Sequence, residues 1–194
     1  FDAKIWAEWA YSAGVDERGI SFVLTYPELV NSERTTPRSL TQFFEQIASI
    51  EDLKGNLQLV EALALSSLDE VTVSSFIAFV NDELTQLIDP EEILGAEDFK
   101  SISKKIKDIS VDDSGAKRVD RLSTMCSRLY LKLTSEDYSP EKNHSENLVQ
   151  FLLLDTIPND LLMSLYMDLQ KHGGDEIKEM TRDKKLASKL LSTL

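Results

Sequence analysis

Apolar residues recur at intervals of three and four along almost the whole chain, a spacing that admits helices and little else. Strand-like alternation is nearly missing. Val71-Thr72-Val73 is β-branched but too short to found a sheet. Glycine and proline are few, 7 and 5 in 194 residues, which favours long helices over turn-rich β architecture. The predicted fold class is all-α.

Punctuation residues mark the helices. Ile5, Trp6, Trp9 and Ala10 form one stripe, with Asp2 placed to cap that helix and Gly14 to end it. A second helix turns Ile20, Val23 and Leu24 inward and stops before Pro27. After a polar loop, Thr36-Pro37 puts a capping hydroxyl before a proline at the first helical position. Leu40, Phe43, Phe44 and Ile47 are that helix's apolar face. Helices around Leu53–Leu65 and Asp69–Leu87 are expected to pair as a hairpin. Asp89-Pro90 opens a short helix that Gly95 ends. Further helices are expected near Ala96–Ile109, Ala116–Leu133, Pro140–Thr156, Pro158–His172 and Asp175–Leu194. Two domains follow, residues 1–88 and 89–194, with no repeat of 20–50 residues to suggest a solenoid.

Charge and cysteine narrow the function classes. Net charge is −13, a surface that repels nucleic acid unless a basic patch is concentrated somewhere. Lys104-Lys105-Ile106-Lys107 and Arg182-Asp183-Lys184-Lys185 are short, and acids interrupt them. They read as solvated helix faces, or as small contact patches. No direct nucleic-acid partner is expected. Cys126 stands alone, which excludes an intrachain disulfide and a cysteine-based zinc site. Its spacing from Leu122 and Leu129 suits a buried small apolar residue better than a nucleophile. A reducing, cytoplasmic setting fits. No apolar run approaches the roughly 18 residues of a membrane span, and no leader pattern is seen. The chain opens on Phe1 and reads as a piece of a longer protein.

Residues that could carry catalysis are sparse. Phosphate-cradling glycine loops are absent. His144 and His172 are the only histidines, and they form no pair at metal-ligand spacing. His172 suits a helix C-terminus, where the dipole favours a cation. Asp112-Asp113 and Glu91-Glu92 have the residue type for metal or acid–base work, but sit in loop and cap contexts where acids are ordinary. No catalytic residue and no metal ligand is assigned.

Thr35-Thr36-Pro37-Arg38-Ser39 is more informative. Thr36 and Pro37 fix a helix start, so Arg38 falls in the first turn. Free N–H groups and the positive dipole end there favour an anion, not a cation. The position makes sense if the guanidinium reaches outward to a phosphate. The alternative is a surface arginine that merely follows the proline.

The wider pattern bears on that choice. Trp6-Ala-Glu-Trp9-Ala, Val15-Asp16-Glu17-Arg18-Gly19-Ile20-Ser21-Phe22-Val23-Leu24, Pro27-Glu28-Leu29 and Thr36-Pro37-Arg38-Ser39 together resemble the lid region of MoxR-like AAA+ ATPases. The resemblance covers roughly residues 1–88; residues 96–194 carry no family pattern. It implies a lid-like helical bundle followed by a second helical bundle, with Arg38 as the second-sensor arginine contacting the γ-phosphate of ATP. It further implies ATP and Mg²⁺ as cofactors, bound mainly by a domain that this segment lacks. Expected partners are further copies of the chain in a homo-oligomeric ring and a protein substrate that is remodelled. A segment without the phosphate-binding loop should not hydrolyse ATP by itself. Two other readings stay open: a non-enzymatic helical interaction module, and a clamp-loader-like subunit.

Overall fold

The computed structural model describes residues 1–32, 34–83, 87–112 and 114–191. They form α-helices joined by short turns; no β-strand occurs among them. Among the described residues the only sheet-like pairing is an isolated bridge between Val111 and Lys117. No helix among the described residues is long and apolar enough to cross a membrane. Contacts divide the chain into two compact units, Phe1–Gln86 and Leu87–Leu194.

The first unit opens with α1 (Ala3–Ser12) and α2 (Glu17–Thr25), then a 3₁₀ turn over Pro27–Asn31. Asp2 caps α1 by accepting from the N–H groups of Lys4 and Ile5 at 2.9 and 3.2 Å, and Gly14 leaves the helix at φ +72°. α3 (Pro37–Ile47) buries Leu40, Phe43, Phe44 and Ile47, the face its spacing announced. α4 (Leu57–Ser67) and α5 (Glu70–Ala78) follow and pack on each other. The single long helix expected over Asp69–Leu87 changes pitch instead: α5 passes into a π turn at Phe79–Glu83. Residues 84–86 of that expectation lie outside the described residues.

Five phenylalanines hold this unit together. The Phe76 ring lies 5.1 Å from Phe22, 5.0 Å from Phe43, 6.1 Å from Phe44 and 6.3 Å from Phe79. Two of these contacts are edge-to-face, the geometry aromatic quadrupoles prefer. Phe22, not Leu24, is therefore the buried partner of Ile20 and Val23 on α2. The α1 stripe also differs from its expectation. Trp6, Ala7 and Ala10 face inward, while Ile5 and Trp9 are 66% and 52% exposed. At about 100° per residue, Trp6, Ala10 and Ala7 share one arc of the helix, and Trp9 and Ile5 fall outside it.

The second unit contains α6 (Pro90–Leu94), α7 (Phe99–Ile109), α8 (Val119–Thr134), α9 (His144–Leu152), α10 (Asn159–His172), α11 (Asp175–Met180) and α12 (Lys184–Leu191). α8 packs along α10 and buries Leu122, Met125, Leu129 and Leu133. α6 lies against α8 and α9. The buried Asn147 amide donates to the carbonyls of Leu94 and Ala96 at 2.7 and 2.8 Å, closing the end of α6. α8 starts at Val119, later than expected, because Ala116–Arg118 turns back on the end of α7. There Asp112 N–H donates to the Ala116 carbonyl, and Arg118 N–H to that of Ser110, at 2.9 and 2.8 Å. The expected helix over Asp175–Leu194 is two helices. The Thr181 hydroxyl bonds back to the Ile177 carbonyl at 3.0 Å, and Asp183 accepts from the N–H groups of Lys185 and Leu186 to start α12.

Gly19 carries a test of this packing. A Cβ placed there would stand 2.3 Å from the Phe44 ring. Gly→Ala inside a helix ordinarily stabilises by about 1 kcal/mol. Gly19→Ala is expected to destabilise instead, by about 1–3 kcal/mol from overpacking, read from the midpoint of urea unfolding.

Candidate functional site

The N-terminus of α3 is built from both directions. Thr36 Oγ1 accepts from Ser39 N–H at 3.2 Å, and Ser39 Oγ accepts from Thr36 N–H at 2.9 Å, a reciprocal capping box. The segment before it is tied to α5. The Asp69 carboxylate accepts from the hydroxyls of Ser32 and Thr35, and from Thr72 N–H at 2.9 Å. Thr35 is fully buried, with its hydroxyl 3.0 Å from that of Thr72. Thus one carboxylate caps α5 and anchors the loop from which α3 departs. Partial burial works to raise the Asp69 pKa, but the hydrogen bonds from Ser32, Thr35 and Thr72 prevail and hold the carboxyl far below the usual carboxylate range.

Arg38 leaves the first turn of this anchored helix into solvent. It makes no ion pair or hydrogen bond through its side chain among the described residues. The other cations of the unit are engaged. Arg18 pairs with Asp16 and donates to the carbonyls of Ile47, Ile50 and Glu51 at the far end of α3. Arg34 reaches the carbonyls of Leu65 and Ser66, Lys54 that of Asn81, and Lys4 also has a partner. Of two acids within sequence reach of Arg38, Glu33 lies outside the described residues, and Glu45 sits two turns further along α3 without pairing to it.

Beside Arg38 a groove of about 450 Å³ opens between α1 and α3, lined by Trp6, Trp9, Pro37, Gln42 and Glu45 among others. Thr41 also lines it, its hydroxyl turned back to the Pro37 carbonyl at 2.9 Å. Sequence periodicity pointed Trp9 at the core and so missed this wall. The Asp69 anchor had no sequence signal beyond Asp69 preceding a helix, since its partners lie up to 37 residues away.

The other residues singled out by type have structural employment. Cys126 is buried, and burial pushes its thiol up to about 12, away from a nucleophile's range. His144 is buried and stacked on Tyr138, whose hydroxyl lies 3.0 Å from Nδ1. His172 closes α10 with its ring edge-on to Tyr130. Glu91 and Glu92 pair with Lys132 and Lys105. Asp112 accepts from Ser114 and Ala116 in its own turn, while Asp113 lies outside the described residues. Among the described residues no group of three or more His, Cys, Asp or Glu is placed to hold a metal ion. In the second unit, a cavity of about 410 Å³ sets Lys107 and Lys117 against Asp108 and Asp155, so it has no one-sided charge.

No protein-family model matches the chain, and neither a curated protein nor a solved structure matches it.

The Asp69 anchor has a measurable pH signature. A carboxyl whose pKa is lowered by folding contributes stability above its unfolded pKa of about 3.9, and loses it as pH falls toward the folded value. Asp69→Asn keeps the shape, but its single oxygen cannot accept from the Ser32 and Thr35 hydroxyls and from Thr72 N–H together. It is expected to cost about 1–3 kcal/mol at pH 7. In urea unfolding at stepped pH, the gap to the wild-type chain should narrow steadily below about pH 4.

Proposed function

We propose that the chain is the lid and C-terminal helical part of a AAA+ ATPase of MoxR-like type, with Arg38 as the residue that senses the nucleotide's terminal phosphate. The observation that carries this reading is the placement of Arg38: a guanidinium without a partner among the described residues, at the positive end of a helix fixed on both sides. That environment fits a phosphate. Backbone N–H groups and the dipole favour an anion there, and the planar fork can donate to two oxygens at once. ATP with Mg²⁺ would supply the transferable phosphoryl group and its counter-charge, held mainly by a nucleotide-binding core outside this chain.

This chain's part is recognition. Arg38 binds the charged terminal phosphate more strongly than a product lacking it, so the lid has two affinities for its nucleotide domain. α3 is packed through Phe43 and Phe44, so movement of Arg38 moves the phenylalanine core with it. Such a lid serves a cytoplasmic homo-oligomeric ring that remodels a protein partner. A helical interaction module is the second reading, favoured by the exposed Leu59, Leu65 and Val71.

Two outcomes test the reading. In a chain that carries the nucleotide-binding core, Arg38→Ala should change unfolding free energy by no more than about 0.5 kcal/mol. Its ATP turnover should fall about 10²–10³-fold. Arg38→Lys should restore part of it, since a point charge cannot reproduce the fork. Normal turnover by folded Arg38→Ala would remove the sensor assignment and leave the interaction module. The chain by itself should show no turnover in a phosphate-release assay. Hydrolysis that follows the pure chain through every fractionation step would refute the lid reading.

A further inference from the structure

We infer that the exposed face of α7 and the cavity at its C-terminal end bind an acidic peptide segment of another protein, with carboxylates over Lys100 and Lys104 and an aliphatic side chain in the cavity. The site lies wholly in the second unit and is independent of Arg38.

The chain carries a net charge of −13, yet residues 99–107 hold four lysines and no acid. One of them, Lys105, pairs with Glu92 of α6. The buried face of α7 is Phe99, Ile102 and Ile106. At about 100° per residue, Lys100, Lys104 and Lys107 fall within roughly 60° of one another on the opposite face. All three are exposed, and none has a side-chain partner among the described residues. The acid nearest the start of the row is already in use, since Asp98 accepts from Lys100 N–H as the cap of α7. Lys100 stands in the first turn, where the helix dipole opposes a cation, so the stability of α7 does not account for it. Like charges three and four residues apart repel one another. Carboxylates arriving from outside relieve that repulsion and meet a row about 10 Å long.

The row runs into a cavity of about 410 Å³, with Lys107 on its rim. Val111 and Val119, 39% and 42% exposed, form its apolar wall with Leu122 and Pro158. Charge within it balances, as Lys107 and Lys117 face Asp108 and Asp155. A carboxylate gains no net attraction there, whereas an aliphatic side chain gains burial against the valines. One-sided charge beside an apolar seat fits a short run of acids followed by an aliphatic residue. A phosphate backbone fits less well. It carries charge along its whole length, so it would run off the row onto an acidic surface, and it brings no aliphatic side chain to the cavity.

The experiment uses the whole chain and a fluorescent peptide in which a run of glutamates precedes one leucine. Two control peptides replace the glutamates by glutamine, or the leucine by serine. Binding is read by fluorescence anisotropy at low and high salt. The glutamate peptide should bind about tenfold more tightly than the glutamine peptide, and high salt should remove most of that advantage. Lys100→Glu with Lys104→Glu should weaken it about tenfold or more, whereas Lys100→Arg with Lys104→Arg should keep the affinity and so guards against a folding defect. Val119→Ser should weaken the leucine peptide about threefold and leave the serine peptide unchanged. In a ¹H–¹⁵N spectrum the leucine peptide should shift the amides of residues 100–107, Val111 and Val119. Equal affinity for the glutamate and glutamine peptides would overturn the inference, as would normal binding by Lys100→Glu with Lys104→Glu. A serine peptide that binds as tightly as the leucine peptide would overturn the role of the cavity. A single-stranded oligonucleotide of matched charge that binds more tightly through the same lysines would replace the peptide by nucleic acid. Self-association of the chain that Lys100→Glu with Lys104→Glu abolishes would make the occupant a second copy and overturn the assignment to another protein. Absence of binding by every peptide would leave the row a solvated helix face.

Discussion

The Phe76 ring is the contact on which the first unit turns. It belongs to α5, yet it touches Phe22 of α2 and Phe43 and Phe44 of α3. Removing it would take the common surface from three helices at once. The cluster needs Gly19, because Phe44 lies where any other residue on α2 would place its Cβ. α2 and α3 therefore approach more closely than ordinary side chains permit. That closeness lets Arg18, one position before Gly19, reach the carbonyls of Ile47, Ile50 and Glu51 at the end of α3. One absent methyl group thus supports both the aromatic core and the C-terminal closure of α3.

Helix identity was legible in the chain wherever cap chemistry and periodicity agreed. Thr36-Pro37 and Asp89-Pro90 started helices in the structure as their residue types require, and the α3 face matched its spacing. Misreadings arose where a local rule met a competing one. Asp175–Leu194 has helical spacing throughout, but Asp183 is a better cap than a helix-interior residue, and the chain breaks there. Trp9 has core chemistry but lies outside the arc of α1 that Trp6, Ala7 and Ala10 bury. In the second unit the backbone pairing of Asp112 with Ala116 and of Arg118 with Ser110 delays α8, an effect that side-chain periodicity does not encode.

The candidate site divides along the same line. Arg38 in the first turn of α3 could be read from five consecutive residues, because capping is local. What holds that turn was not readable. Ser32 and Thr35 reach Asp69 across more than thirty positions, and no sequence rule pairs two hydroxyls with a distant carboxylate. The second wall of the groove was equally hidden, since Trp9 comes to face Arg38 only through the packing of α1 on its neighbours.

The two arginines at opposite ends of α3 set out the electrostatic logic of the unit. Arg18 stands where the helix dipole wants a cation and donates to three carbonyls. Arg38 stands where the dipole opposes one, at a cost of roughly 0.3–1 kcal/mol, and receives no ion pair in return among the described residues. The sequence of this unit does not lack acids to pair with it, since fourteen Asp and Glu face only Lys4, Arg18, Arg34, Arg38 and Lys54. Such an excess repels polyanions approaching from solution. Screening confines that repulsion to about 8 Å at physiological ionic strength, so a phosphate already beside Arg38 responds mainly to the guanidinium and the adjacent N–H groups. Under the reading proposed for Arg38, an acidic surface with one local exception disfavours a polyanion and admits a small anion at the exception.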